Sequence, residues 1–271
     1  KESAGYHGYW VTDFTQVDPH FGSEADMTAF VAAAHARGMK VYLDIIANHT
    51  ADVIKYRECP NNDCAYRSRA DYPYQTRGGP AGAPINPGFA GDRAVHQTPA
   101  NFAKLTAPDF AYTPYIPAGE AAVKVPAWLN DPIYYHNRGD STFRGESSTM
   151  GDFSGLDDLY TENPRVVAGF IEIFGSWIDR FKIDGYRIDT AQHVNPEFWA
   201  AFAPAMAARA KANGIDNFAI FGEVCTSDMD PGRLARHTRV DKLPTVPDFA
   251  FRAAVAGTAR GTAPTLTTCA P

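Results

Sequence analysis

The 271 residues hold only four cysteines, no block of Lys or Arg, and no apolar run near the ~20 residues that a membrane helix needs. Each shortage excludes something. Without the apolar run, no membrane partner is expected. Without a basic block, and with 25 Lys+Arg against 31 Asp+Glu for a net charge of −6, nucleic acid is not an expected partner either. No G-x-G-x-x-G follows a predicted strand, so a nucleotide cofactor has no support. Lys1 does not open a charged-then-apolar signal segment. Two of the cysteines, Cys59 and Cys64, flank Pro60-Asn61-Asn62-Asp63. That polar loop suits either a small disulfide, which implies an oxidising compartment, or two free thiols. Zinc is less favoured, because no second Cys/His pair has metal spacing. Cys225 and Cys269 have no obvious partners.

What is present is globular in kind: 45% hydrophobic and 21% charged residues, enough chain to bury a sizeable core. Strands and helices alternate at the start. HGYWV (7–11) has strand composition. Ser23-Glu24-Ala25-Asp26 is a capping box opening a helix with Met27, Phe30, Val31 and Ala34 at helical spacing, and Gly38 stops it. KVYLDIIAN (40–48) reads as a strand buried on both faces. From about Ala51 to Gly155 the chain turns rich in Pro, Gly, Asn, Tyr and Asp with no long periodic helix. A structureless loop of that length is improbable, so an inserted subdomain is expected. Alternation then resumes. Asn163-Pro164 caps a helix with Val166, Phe170, Phe174, Ile178 and Phe181 on one face, and 181–189 is a strand. Asn195-Pro196 caps another helix, with Phe198, Trp199, Phe202 and Met206 inside. Residues 217–224 form a further strand, 243–250 are a candidate for one more, and no structure is expected after Ala250.

Repeated βα units suggest a doubly wound sheet or a (β/α) barrel. Polar clusters at the carboxyl ends of three strands (Asp44 to His49, Arg187 to Asp189, and Glu223) favour the barrel. Asp189 and Glu223, at the ends of successive strands, face one cleft in such a barrel. Either acid alone reads as one half of a structural ion pair. Together they are the equipment of glycosidic hydrolysis, one carboxylate attacking or guiding water and the other donating a proton. Arg187, two residues before Asp189, lies on the same strand face and favours its ionised form.

These segments resemble, in order, the signatures of the alpha-amylase family of glycoside hydrolases. DIIANH (44–49), GYRIDTAQH (185–193) and FGEV (221–224) look like its first three. GYHGYW (5–10) resembles the stretch at its second strand, and GLDDLYTEN (155–163) the signature closing its inserted subdomain. The resemblance implies an α/β fold of (β/α)8 TIM-barrel type. Residues 1–51 would carry the second and third strands, 52–158 an irregular or β-rich subdomain inserted after the third strand, and 159–271 the fourth to about the sixth. It implies a retaining glycosidase acting on alpha-glucosidic bonds of starch-like glucans or maltooligosaccharides. Asp189 would be the nucleophile and Glu223 the general acid, entering the reaction protonated, and then the general base. Arg187 would hold Asp189, while Tyr6, His49 and His193 would bind the sugar. A structural Ca²⁺ is implied on Asn48, Asp158 and the main-chain carbonyl of His193, and a secreted or periplasmic location is what such relatives have. Two alternatives stand beside hydrolysis: transglycosylation or disaccharide isomerisation by the same residues, and a catalytically incomplete glucan-binding chain.

Departures exist. Gln192, Cys225 and Asp157 stand where family members commonly have lysine, an aromatic and proline. The fourth signature, a His-Asp pair, does not occur after Glu223. With about a hundred residues in the insertion, about five βα units remain, too few to close eight strands. A fragment is therefore expected.

Overall fold

A computed structural model describes Gly5 and residues 7–59, 63–225 and 231–260. In chain order the elements are α1 (Glu24–His35), β1 (Tyr42–Ile46), β2 (His49–Thr50), β3 (Lys55–Tyr56), α2 (Pro99–Phe102), β4 (Pro114–Tyr115), α3 (Ser147–Met150), β5 (Asp157–Asp158), α4 (Pro164–Phe181), β6 (Gly185–Asp189), α5 (Pro196–Ala212), β7 (Ala219–Gly222), α6 (Pro231–Arg239) and α7 (Phe249–Ala259). Short 3₁₀ turns lie between several of them.

The helices begin where side chains satisfy their first amides. Ser23 and Asp26 exchange hydrogen bonds at the start of α1. Asn163 accepts from the Arg165 N–H ahead of Pro164 at the start of α4. Both arrangements supply acceptors to amides that the helix itself cannot pair. Past the end of α1, Gly38 takes a φ of 72°, a left-handed turn that suits glycine. Helices α4 and α5 pack on each other through Phe170, Phe174, Phe198 and Phe202.

Strands β1, β6 and β7 form one parallel sheet in the order β1-β6-β7. Its register sets Asp44 beside Arg187, Ile46 beside Asp189, and Ile188 beside Gly222. Side chains alternate across a strand, so Asp44, Arg187, Asp189 and Phe221 share one face while Leu43, Ile45, Tyr186 and Ile188 share the other. The second face meets the helices, where the Tyr186 hydroxyl donates to the Phe174 carbonyl at 2.6 Å. At Gly185 a Cβ would lie 2.3 Å from the Ala219 carbonyl oxygen, so only glycine allows this approach of β6 to β7.

Residues 52–158 contain no helix longer than four residues among those described. Tyr74, Phe89, Phe102, Leu105 and Phe110 form an apolar cluster that also takes in Tyr160. Tyr56, Tyr112, Leu129 and Tyr135 instead join the same core as β1 and β6. Cys59 and Cys64 form a disulfide. Cys225 is a free, exposed thiol, and Cys269 lies outside the described residues.

Four expectations are corrected. HGYWV (7–11) is not a strand: the Tyr9 carbonyl accepts from the His49 side chain and the Val11 carbonyl from the Ala51 N–H, with no strand ladder formed. Residues 243–250 make only a single bridge, Thr245 with Phe221, because α7 starts at Phe249. The chain after Ala250 is helical to Ala259, capped by Asp248, which accepts from the Phe251 N–H. The 181–189 strand also begins later than its apolar pattern suggests, since α4 runs through Phe181.

Candidate active site

The carboxyl ends of β6 and β7 bring Asp189 and Glu223 together around one guanidinium. Arg187 Nη1 donates to Asp189 Oδ1 at 2.6 Å, and its Nη2 lies 2.8 Å from Glu223 Oε2. Glu223 follows β7 directly, held there by its N–H donating to the Ile188 carbonyl at 2.7 Å. The Thr190 N–H lies 3.4 Å from Glu223 Oε2. Thr190 takes a φ of 53°, a left-handed conformation that a β-branched residue rarely adopts and that costs energy unless its surroundings impose it.

Two further side chains belong to the cluster. Asp44, across the register from Arg187, accepts from its Nη1 at 2.8 Å. The Tyr9 hydroxyl donates to Asp44 Oδ2 at 2.8 Å and accepts from Arg187 at 3.2 Å. Neither partnership is visible in the sequence by itself. The signal for Asp44 is the alternation within DIIANH, but the register that joins it to Arg187 arises only on folding.

Three carboxylates thus share one guanidinium. The Asp189 carboxyl is pushed up to about 6, first by burial, against the pull of Arg187 and with the charge of Glu223 adding to the rise. Arg187 favours the ionised form of Asp189, as expected from its place on the strand, while its charge is divided among Asp44, Asp189 and Glu223. Tyr9 is pushed up to about 12 by burial and by the neighbouring Asp44, so it remains a neutral donor.

His49 is buried, and burial pushes its ring down to about 4, so it is neutral. Its Nε2 lies 3.3 Å from the Tyr9 carbonyl, which can only accept; the ring proton is therefore on Nε2, and Nδ1 accepts from Asn48 Nδ2 at 3.2 Å. His193 lies in the turn after β6, its Nδ1 donating to the Ser148 carbonyl at 2.8 Å. Burial lowers the pKa of that ring as well. Tyr6 lies outside the described residues.

Asn48 and Asp158 are neighbours, because His49 pairs with Asp158 across β2–β5 and the Leu159 N–H donates to the Asn48 carbonyl at 2.9 Å. Asp158 Oδ2 is taken by His136 Nδ1 at 2.6 Å, and His136 Nε2 lies 2.9 Å from Glu162. Beside this chain of groups, Lys124 Nζ lies 2.6 Å from Asp157 Oδ2. Among the described residues no three His, Cys, Asp or Glu side chains gather to hold a metal. A cavity of about 350 Å³ reaches Tyr9 and Asp44 from the β1 edge, walled by Leu43, Ile45, Phe174 and Trp177.

The family model described as alpha amylase, catalytic domain, matches residues 1–269. The chain belongs to the alpha-amylase family. An alpha-amylase of Streptomyces lividans is 46% identical over 250 residues, covering 92% of this chain and 26% of that protein. A cyclomaltodextrin glucanotransferase of Geobacillus stearothermophilus is 26% identical over 194 residues, 71% of this chain and 20% of that protein. Among solved structures, the alpha-amylase of Geobacillus thermoleovorans, crystallised with acarbose, is similar with a TM-score of 0.56 at 27% identity, over 93% of this chain and 40% of that one. The chain spans about a quarter of the length of the first of these relatives. Its three parallel strands, with helices on one face and functional groups at their carboxyl ends, are part of the family's (β/α)8 barrel.

Proposed function

We propose that the protein carrying this chain is a retaining glycosidase cleaving alpha-glucosidic bonds of starch-like glucans or maltooligosaccharides. The observation that supports it most is the bridging of Asp189 and Glu223 by Arg187 at the ends of adjacent parallel strands. In this reading ionised Asp189 attacks the anomeric carbon. The bond to the leaving oxygen breaks as Glu223 delivers its proton to that oxygen, and a glycosyl ester on Asp189 results. Water then attacks the same carbon, Glu223 takes the water's proton, and Asp189 departs as carboxylate, so both groups return to their starting states. Arg187 stays bound to both acids and offsets the charge left on Asp189. Tyr9 and Asp44 fix the guanidinium at Nη1, the nitrogen that also meets Asp189. A neutral His49 donates to a sugar hydroxyl in exchange for its long contact to Tyr9, and Tyr6 and His193 complete the sugar site.

A sugar hydroxyl in place of water gives transfer instead of hydrolysis; the likeness to a glucanotransferase supports keeping that reading beside the first. The disulfide supports a secreted or periplasmic location. Among the described residues no helix is long and apolar enough to cross a membrane.

A structural Ca²⁺ is part of the proposal. The Asn48 amide, the Asp158 carboxylate and the His193 carbonyl would hold it, and these oxygens suit a hard cation. Burial pushes Asp158 up to about 7 even with His136 against Oδ2, so added positive charge would favour its ionised form. The ion would supply that charge. Chelation should lower the melting temperature of the full-length protein and added Ca²⁺ should restore it; an unchanged melting curve removes the ion from the proposal.

The catalytic reading is tested by incubating the full-length protein with starch and maltooligosaccharides. Reducing sugar should appear and should vanish with Glu223→Gln. Undiminished turnover in that variant would sink the assignment, and new linkages without net hydrolysis would mark a transferase.

A further inference from the structure

The two histidines assigned to the sugar site come from separate stretches of the barrel, His49 from the start of β2 and His193 from the turn after β6. One ring from the inserted segment touches both. Phe153 stacks on His49 with ring centres 5.3 Å apart and planes at 16°, and meets His193 edge to face at 5.3 Å and 69°. Phe143, 46% exposed, closes the group, lying 5.1 Å from Phe153 and 5.7 Å from His193.

The backbone under Phe153 is fixed. Phe153 and Leu156 exchange both hydrogen bonds, at 3.2 and 3.1 Å, around Ser154 and Gly155. Those two residues have φ of 53° and 80°, the pair of left-handed residues that a tight two-residue hairpin requires. Strand β5 follows at Asp157 and pairs with β2, which begins at His49. On the other side, Asp152 accepts from the Tyr56 hydroxyl and from the Asp158 N–H. The ladder that anchors the insertion to the barrel is therefore the same one that places the Phe153 ring against His49.

We infer that Phe153 is a positioning residue, a flat apolar wedge that sets the ring planes of His49 and His193 for the sugar. This rests on the glycosidase reading. Phe153 acts through the histidines: stacked as it is, its face orients the His49 imidazole, whose Nε2 must meet a hydroxyl at hydrogen-bond distance.

The test uses the full-length enzyme on a maltooligosaccharide of defined length. Phe153→Leu keeps apolar bulk and loses the flat face. It should lower kcat/KM by about tenfold, chiefly through KM, with the melting temperature near the parent's. Phe153→Tyr should restore the parent's values. In a His49→Asn background, Phe153→Leu should cost only about twofold, because its target is gone. Parental kinetics in Phe153→Leu, or an equal loss in both backgrounds, overturns the inference. If Phe153→Leu does not fold, Phe153→Met carries the same comparison. Glu223→Gln in the same assay separates the two claims. Turnover that survives it defeats the glycosidase reading, whereas turnover lost there beside a parental Phe153→Leu defeats only the wedge.

Discussion

At the ends of β6 and β7, one guanidinium faces Asp44, Asp189 and Glu223; under the inserted segment, Lys124 and His136 face Asp157, Asp158 and Glu162. The ingredients are the same, carboxylates and cations within 3 Å of one another. Solvent access separates them. The side chains of Arg187 and Glu223 are 24% and 28% exposed, whereas those of Lys124 and His136 are fully buried. The sealed cluster is also tied to backbone: Asp157 accepts from the Val53 and Ile54 N–H groups, and Lys124 reaches the Tyr135 hydroxyl. It braces the chain that leaves β1 against residues 52–158. The open cluster can be reached from solvent, which the proposed reaction requires. Charge composition alone does not mark a site; charge that can be reached does.

Paired substitutions are the strongest way to break this contrast. Asp189→Asn should lower kcat/KM of the full-length enzyme by about a thousandfold or more while leaving its melting temperature near the parent's. Lys124→Met should do the reverse. It leaves Asp157 buried without its cation and should cost about 3–5 kcal/mol in denaturant unfolding, with kcat of the folded protein close to parental. A Lys124→Met enzyme that is folded yet inactive would place the sealed cluster in the reaction and end the distinction.

A pH profile sharpens the open side. Asp189 must be ionised to attack, and its carboxyl is held at about 6. On the acid limb of kcat/KM, where Asp189 takes up its proton, activity should therefore fall by about tenfold per pH unit below pH 6. Arg187 pulls Asp189 downward, so the residual activity of Arg187→Gln should show that limb at higher pH. An unmoved limb would assign it to another group.

Much of this arrangement is legible before folding, and the exceptions share a cause. Helices α1, α4 and α5 announce themselves through local signals, Ser23 with Asp26, Asn163-Pro164, and apolar residues at helical spacing. Strands β1 and β6 show as apolar runs, although Phe181 and Lys182, inside one such run, belong to the helix end and its cap. Asp189, Arg187 and Glu223 are visible because two-residue alternation and strand ends are local properties. What stays hidden depends on a partner distant in sequence. HGYWV has strand composition, but among the described residues it joins no strand ladder. Asp44 gains its meaning from Arg187 across the sheet, Phe153 from His49 and His193, and Asp157 from Lys124. The left-handed Thr190 is hidden for the same reason, since nothing in its own sequence favours that conformation.

The smallest expected effect serves as the control. Ser23 and Asp26 form a third set of charge-assisted hydrogen bonds, with the Ser23 N–H and hydroxyl both donating to Asp26 Oδ2 at 2.8 and 2.7 Å. This set is exposed, like the Arg187 cluster, but it joins only Ser23 and Asp26 and has no cation in it. Ser23→Ala should cost only about 1 kcal/mol, the ordinary value of a helix cap, and leave kcat/KM unchanged. Denaturant unfolding beside Lys124→Met measures the first expectation, and the maltooligosaccharide assay the second. If Ser23→Ala destabilised the protein as much as Lys124→Met, burial would not be what gives the inner cluster its weight. If it lowered kcat/KM, exposure together with hydrogen bonding would affect turnover even without a place at the strand ends, and the open cluster would lose its claim to be the site.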